Sequence, residues 1–213
     1  MTDRYIGGSS LFPASVRGSS LSLSSSDDGL LIIPAAFSRG YRIRTAFPRD
    51  AMDILKIMDI TVKDLKNKSL FIPDTLSMIK ETLTSEGFGL LALDYSDKPV
   101  AYLLVLYPRL STVNLGYDFT FLKEELLKVA HMESVAVLPA HRGHKLQQSL
   151  IARAEQLLTA SHPYHMATVS PENPASLKSF EACGYRIIAT KQKYGNYLRH
   201  ILFKSIEKSR TDR

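Results

Sequence analysis

The run Ser134-Val-Ala-Val-Leu-Pro139 stops at a proline, passes through Arg142-Gly143-His144-Lys145 and enters a helical repeat, and this join restricts the fold more than any other part of the chain. Residues up to Val137 read as a buried strand, while Leu146, Leu150, Ala154, Leu157 and Leu158 recur at the spacing of one helix face. The first N–H groups of such a helix have no intrahelical acceptor, and with the helix dipole they favour an anion such as a phosphate. Arg142 and Lys145 add full positive charges at the turn. The same residues also suit an ordinary strand-to-helix connection whose basic side chains are simply solvated.

A chain of 213 residues, 45% apolar and 23% charged, has room for one domain with a sizeable core. The 27 Lys and Arg against 21 Asp and Glu leave a net charge of +6, which suits an anionic ligand. No basic run interleaved with aromatics is present, so nucleic acid is not an expected partner. The single cysteine, Cys183, excludes an internal disulfide and a Cys-based zinc site. It suits a reducing, cytoplasmic setting with no metal. Its place in Phe180-Glu-Ala-Cys183-Gly184, at the end of a helix, is that of a small buried thiol rather than a nucleophile. No stretch approaches the about eighteen continuous apolar residues of a membrane-spanning helix, and no membrane partner is expected.

Residues 1–38 are rich in Ser and Gly, with Ser19 to Ser26 at the centre, and read as a mobile arm in which Gly29-Leu-Leu-Ile-Ile-Pro34 can form a strand or clip. Residues 39–208 form the expected domain, and 209–213 a frayed end. Alternation at Tyr41, Ile43, Thr45 and Phe47 predicts a strand, and Ile54, Leu55, Met58 and Val62 a helix from Pro48 to about Lys66. Asp74 can cap a second helix bearing Leu76, Ile79 and Leu83, ended by Gly87 and Gly89. Leu90–Leu93 and Val100–Leu106 read as a buried hairpin at the sheet centre. After an irregular insert, Leu110 to Ala130, come a strand at 131–137, a helix from about His144 and a short strand at 166–169. A further helix has Asn173 as N-cap, Pro174 at its first position and Gly184 past its end. A hairpin around Tyr194-Gly-Asn196 closes the chain. The expected fold is α/β (α+β): a mixed, mostly antiparallel sheet of about six to seven strands flanked by helices.

This order resembles that of the GNAT superfamily of acetyl-CoA-dependent N-acetyltransferases, and the resemblance spans about Tyr41 to Ile206. It rests on Val135-Ala-Val-Leu-Pro139, on Arg142-Gly143 with its helix, and on Asn173 through Gly184-Tyr185. The resemblance implies a sheet splayed between its fourth and fifth strands, with acetyl-CoA as co-substrate in the splay. Backbone groups of Val135, Ala136 and Val137 would meet the pantetheine arm, as an added strand does. The turn formed by Arg142, Gly143, His144, Lys145, Leu146 and Gln147 would wrap the pyrophosphate. Asn173, Ser176 and Phe180 would line the arm. Two positions depart from the family pattern, since Lys145 and Gln147 stand where small residues are usual. Helical backbone angles at the turn would let their side chains point away.

Many members carry a tyrosine at the position of Phe180 that protonates the departing thiolate, and phenylalanine has no proton to give. Tyr194 is the candidate acid, with a packed aromatic beside a turn as its other reading. His131 and Glu133, two apart and thus expected on one face with Val135 and Val137, are the candidate base or acceptor-binding pair. The acceptor is expected to be an amine on a small molecule or a peptide. Carboxylates in its site would favour polyamines or aminoglycosides, and an open groove a peptide. A catalytically degenerate acyl-CoA-binding module would explain Lys145, Gln147 and Phe180 together, and a monomer or a homodimer is compatible with the chain.

Overall fold

The computed structural model describes residues 40–158 and 161–206, with the backbone of Leu30 and Leu31; the rest of the expected arm and the expected frayed end lie outside the described residues. Strands are β1 (Leu30–Leu31), β2 (Arg42–Ala46), β3 (Gly87–Leu93), β4 (Pro99–Leu106), β5 (Val129–Val137), β6 (Tyr164–Val169), β7 (Arg186–Lys193) and β8 (Tyr197–Ser205). Helices are α1 (Ala51–Asp64), α2 (Leu76–Glu81), α3 (Lys123–Leu126), α4 (Leu146–Leu158) and α5 (Pro174–Ala182). The sheet order is β1-β2-β3-β4-β5-β6-β8-β7, and every neighbouring pair is antiparallel except β5 with β6. The count exceeds the expected six to seven strands by the two-residue β1, which pairs with Ile43 and Arg44 of β2.

The central hairpin forms where continuous apolar runs predict it, because β3 and β4 are covered on both faces. Leu103, Val105 and Met132 on one face pack with Leu146 and Leu150 of α4 and Phe180 of α5. On the other face, Tyr102 and Leu104 pack with Ile54 and Met58 of α1 and Ile79 of α2. Full burial of one such side chain stabilises the fold by about 1.5–3 kcal/mol.

Three local expectations are corrected. Gly87 ends the helical segment, capping the π-turn Thr82–Glu86 that continues α2, and also opens β3, whereas Gly89 lies inside that strand; a Cβ at Gly87 would lie 1.8 Å from the Val105 carbonyl oxygen, so the close approach of β4 requires glycine there. Thr75, not Asp74, caps α2, its hydroxyl accepting the Met78 N–H at 3.3 Å. The helix expected from about His144 begins at Leu146, because Lys145 takes a left-handed conformation, φ +57°. The α5 punctuation is as expected: Asn173 Oδ1 accepts the Ser176 N–H, Pro174 is first in the helix, and Gly184 and Tyr185 bond back to Glu181 and Phe180.

Before α1, the Arg44 guanidinium forks onto Asp50 at 2.7 and 2.8 Å, and Asp50 also accepts the Phe47 N–H at 2.8 Å. The insert folds around Asn114, whose amide donates to Arg109 and Leu126 carbonyls while its oxygen accepts the Gly116 N–H. Asp118 ties it to Lys191 and Lys193 of β7.

Candidate functional site

β5 and β6 pair only at Val129↔Tyr164, Ala130↔His165 and His131↔Met166, after which the strands part. A cleft of about 570 Å³ occupies the gap. The direction of the β5 backbone follows from its ladder with β4. Leu138 N–H donates to Val100 O at 2.9 Å, and with Tyr102 opposite Ala136 the hydrogen-bonded pairs fall at Ala136 and Ser134. The N–H and C=O groups of Val135 and Val137 therefore point away from β4, into the cleft.

At one end of the cleft lies the turn. Gly143 and Lys145 both have positive φ, +83° and +57°. Ser149 N–H bonds to Lys145 O at 3.0 Å, so the N–H groups of Leu146, Gln147 and Gln148 precede the first helical acceptor. Left-handed geometry thus replaces the helical angles expected at Lys145, at a cost of about 1 kcal/mol for a residue with a Cβ. Arg142 lines the cleft, but its guanidinium is held by Asp64 at the end of α1, 2.6 Å away. The Gln147 amide donates to Ser176 Oγ at 3.1 Å, joining α4 to α5 across the cleft wall. Of the turn residues singled out from sequence, His144 does not line the cleft; its ring lies 5.4 Å from that of Tyr41. Phe180 is buried, edge-on to Tyr185 at 5.1 Å, and forms an apolar wall with Asn173 and Ser176 beside it.

The other end is polar. A β-bulge interrupts the β4–β5 ladder, with Leu104 opposite Ser134 but Val105 opposite Met132, so that Glu133 is the extra residue. This shifts the alternation by one. Met132, Val135 and Val137 share one face, whereas His131 turns to the other with Ser134 and Ala136. The expectation that His131 and Glu133 share a face with Val135 and Val137 is therefore corrected. Glu133 lines the cleft and His131 does not. His131 is buried, its Nε2 accepting the Leu115 N–H at 3.1 Å, and its Nδ1 lies 3.4 Å from Glu133 Oε2.

Across from Glu133, the turn between β7 and β8 brings Tyr194 to Thr168 of β6, hydroxyl to hydroxyl at 3.1 Å. Tyr194 is 45% exposed overall, yet burial of its hydroxyl end, with the negative charges of Glu133 and Asp74, raises its pKa above the ordinary tyrosine value. It stays protonated at neutral pH.

Sequence reasoning missed Asp74, Ser134 and Arg199, which also line the cleft. Ser134 Oγ bonds the buried Tyr102 hydroxyl at 2.8 Å. Burial first, then the Glu133 charge, push the Asp74 carboxyl up to about 6. Arg199 is buried and donates to Ser69 O at 2.6 Å, clamping the loop between α1 and α2 over β8. No period or motif marks these residues, because loop crossings bring them together. Cys183 caps the C-terminus of α5 outside the cleft lining, its thiol pushed up to about 11 by burial and by Glu155.

A family model described as "Acetyltransferase (GNAT) family" matches residues 56–185. No curated protein matches by sequence. Among solved structures, yncA of Salmonella typhimurium, described as an acetyltransferase and holding its cofactor acetyl-CoA, is 20% identical with a TM-score of 0.58, covering 81% of this chain and 98% of that one. The ribosomal-protein-S18-alanine N-acetyltransferase of Escherichia coli is 13% identical with a TM-score of 0.61, over 81% and 98%. The NatC complex bound to Gag peptide and CoA contains a chain 14% identical with a TM-score of 0.60, over 78% and 99%. These likenesses establish a shared fold.

Proposed function

The chain belongs to the acetyltransferase (GNAT) family, and from that premise we propose that it moves the acetyl group of acetyl-CoA to a primary amine by direct attack in a ternary complex. The observation that carries the reading is the outward-facing backbone of Val135 and Val137 in a cleft that ends at the α4 N-terminus. An extended arm bearing amides can bond to a free strand edge, and the pyrophosphate at its end can take the unpaired N–H groups of Leu146 to Gln148. Acetyl-CoA has both parts, and three solved relatives hold it or CoA. Phe180 supplies apolar cover for the arm. Gln147, which lines the cleft, spends its amide on Ser176, and Lys145, left-handed, lines the cleft beside it as a cation suited to an anionic pyrophosphate.

At the polar end, Glu133 is the base that draws the proton from the attacking nitrogen, with His131 holding its carboxylate in place. As the new C–N bond forms and the C–S bond breaks, Tyr194 gives its hydroxyl proton to the thiolate. Attack by a neutral amine on a thioester needs no covalent enzyme intermediate, and the half-buried, high-pKa Cys183 is not among the residues lining the cleft. The test is mass spectrometry of CoA release from acetyl-CoA over polyamines, aminoglycosides and peptides. Acceptor-dependent release with an acetylated product is expected; tight CoA binding without any acetylated product across that panel would overturn the assignment.

A further inference from the structure

We propose that Asp74 is a second proton-accepting carboxylate of this cleft, and that the acceptor enters as a protonated aliphatic amine held between Asp74 and Glu133. The inference rests on the reading of the cleft given above. Asp74 sits on the loop leading into α2, the wall facing β5, and its Oδ2 is buried without a hydrogen-bond partner. The groups that face it are Glu133 and Ser134 from β5, Tyr102 from β4 and Tyr194 from the β7–β8 turn. None is a cation. Among the described residues neither carboxylate has a lysine or arginine within ion-pair distance; Glu133 meets only His131, and the Arg199 guanidinium is turned to the carbonyls of Ser69 and Leu198. Two carboxylates share one partly buried cleft, Asp74 raised by burial and by the charge of Glu133, and they lack the positive group that would satisfy them. A protonated amine supplies it.

The proton count gives each carboxylate a task. A primary ammonium has three N–H bonds and the product amide has one, so two protons leave the nitrogen. Asp74, poised at about 6, takes the first and frees the lone pair that forms the C–N bond. Glu133 takes the second after attack. Tyr194 protonates the sulfur as the C–S bond breaks and recovers its proton from one of the two carboxylic acids, and the other proton passes to solvent. The balance is one ammonium and one thioester giving one amide, one thiol and one proton. An acceptor that arrives uncharged would leave both carboxylates facing each other without compensation.

The test is calorimetric titration of the full chain with spermidine as the probe, with and without CoA, for the unaltered protein, Asp74→Asn and Glu133→Gln. Titration with CoA alone comes first, and failure to bind it overturns the reading of the cleft itself. Spermidine is expected to bind the unaltered protein, and either substitution to weaken it by about tenfold or more. Binding near pH 6 is expected to release protons, seen as a buffer-dependent heat, because a bound ammonium favours ionised Asp74; Asp74→Asn abolishes that release. Absence of spermidine binding, equal affinity in Asp74→Asn, or proton release that survives the substitution would each overturn the proposal. A neutral amide in place of the carboxylate keeps the shape of the side chain, so a purely structural role would leave the proton release unchanged.

Discussion

His131 and Glu133 meet at 3.4 Å because a bulge in β5 brings the Glu133 carboxylate round to the His131 ring. The Nε2 of His131 accepts the Leu115 N–H, so the ring proton resides on Nδ1, the nitrogen that faces Glu133. A histidine whose only free lone pair is already used by the backbone cannot take a proton from a substrate without breaking that bond. In the proposed mechanism His131 therefore positions Glu133, whose carboxylate lines the cleft.

Replacing that carboxylate isolates its chemistry. Glu133→Gln is expected to lower kcat by about 100-fold or more while leaving CoA affinity within about twofold. His131→Asn is expected to cost about tenfold through misorientation alone. Steady-state kinetics on an acceptor found by CoA release, with calorimetry of CoA binding, checks both; a Glu133→Gln enzyme of full kcat removes Glu133 from the mechanism.

Tyr194→Phe removes the hydroxyl proposed as the proton donor but keeps the ring beside Thr168. The expected result is a fall in kcat of about 10–100-fold with little change in KM for acetyl-CoA. Equal activity of the two forms would mean that the thiolate leaves unprotonated or finds its proton in solvent.

Asp74 links the site to stability with a definite sign. Its folded pKa, about 6, lies above the ordinary 3.8, so its contribution is favourable below the unfolded value and is lost as pH rises through about 6. Asp74→Asn should therefore stabilise the fold by about 2 kcal/mol near pH 8 and by little near pH 4. Urea unfolding at the two pH values checks it, and an equal effect at both rules out charge burial as the cause.

Asp50 behaves in the opposite sense. Burial pushes its carboxyl up, but the Arg44 guanidinium and the Phe47 N–H outweigh burial and hold it below the usual range. Its stabilisation is present above the unfolded carboxylate value and disappears as pH falls through the folded one. Asp50→Ala should cost about 2–3 kcal/mol at neutral pH, since Arg44 is left half-buried without its partner. Denaturant midpoints measured from neutral pH downward should converge with those of the unaltered protein.

Lys145→Gly should stabilise the fold by about 1 kcal/mol, because glycine adopts the left-handed region without the clash a Cβ brings. A thermal melt reads the change directly. No gain would mean that the lysine side chain makes a compensating contact at the turn.

Local grammar made much of this protein legible. The strand–turn–helix from Ser134 to Leu158 and the Asn173-to-Gly184 helix follow from periodicity and capping, which neighbours along the chain decide. The Glu133 bulge could not be read, because it depends on which residue of β4 stands opposite, and a shift of one reverses every later side chain. Asp74 looked like a helix cap because aspartate before a helix usually is one. Thr75 took that bond and left the carboxylate to the cleft. Arg199 carried no signal at all, since its role comes from a loop more than a hundred residues away that crosses above it.

An ordinary sheet has its raw edges at its two ends; the parting of β5 from β6 gives this one a raw edge in the middle. Val135 and Val137 there offer a template to any extended backbone that reaches them, a second copy of this chain included. Whatever fills the cleft with amides of its own therefore does more than react. It completes the ladder that the parting of β5 from β6 leaves open, so that filling the site and finishing the sheet become a single event.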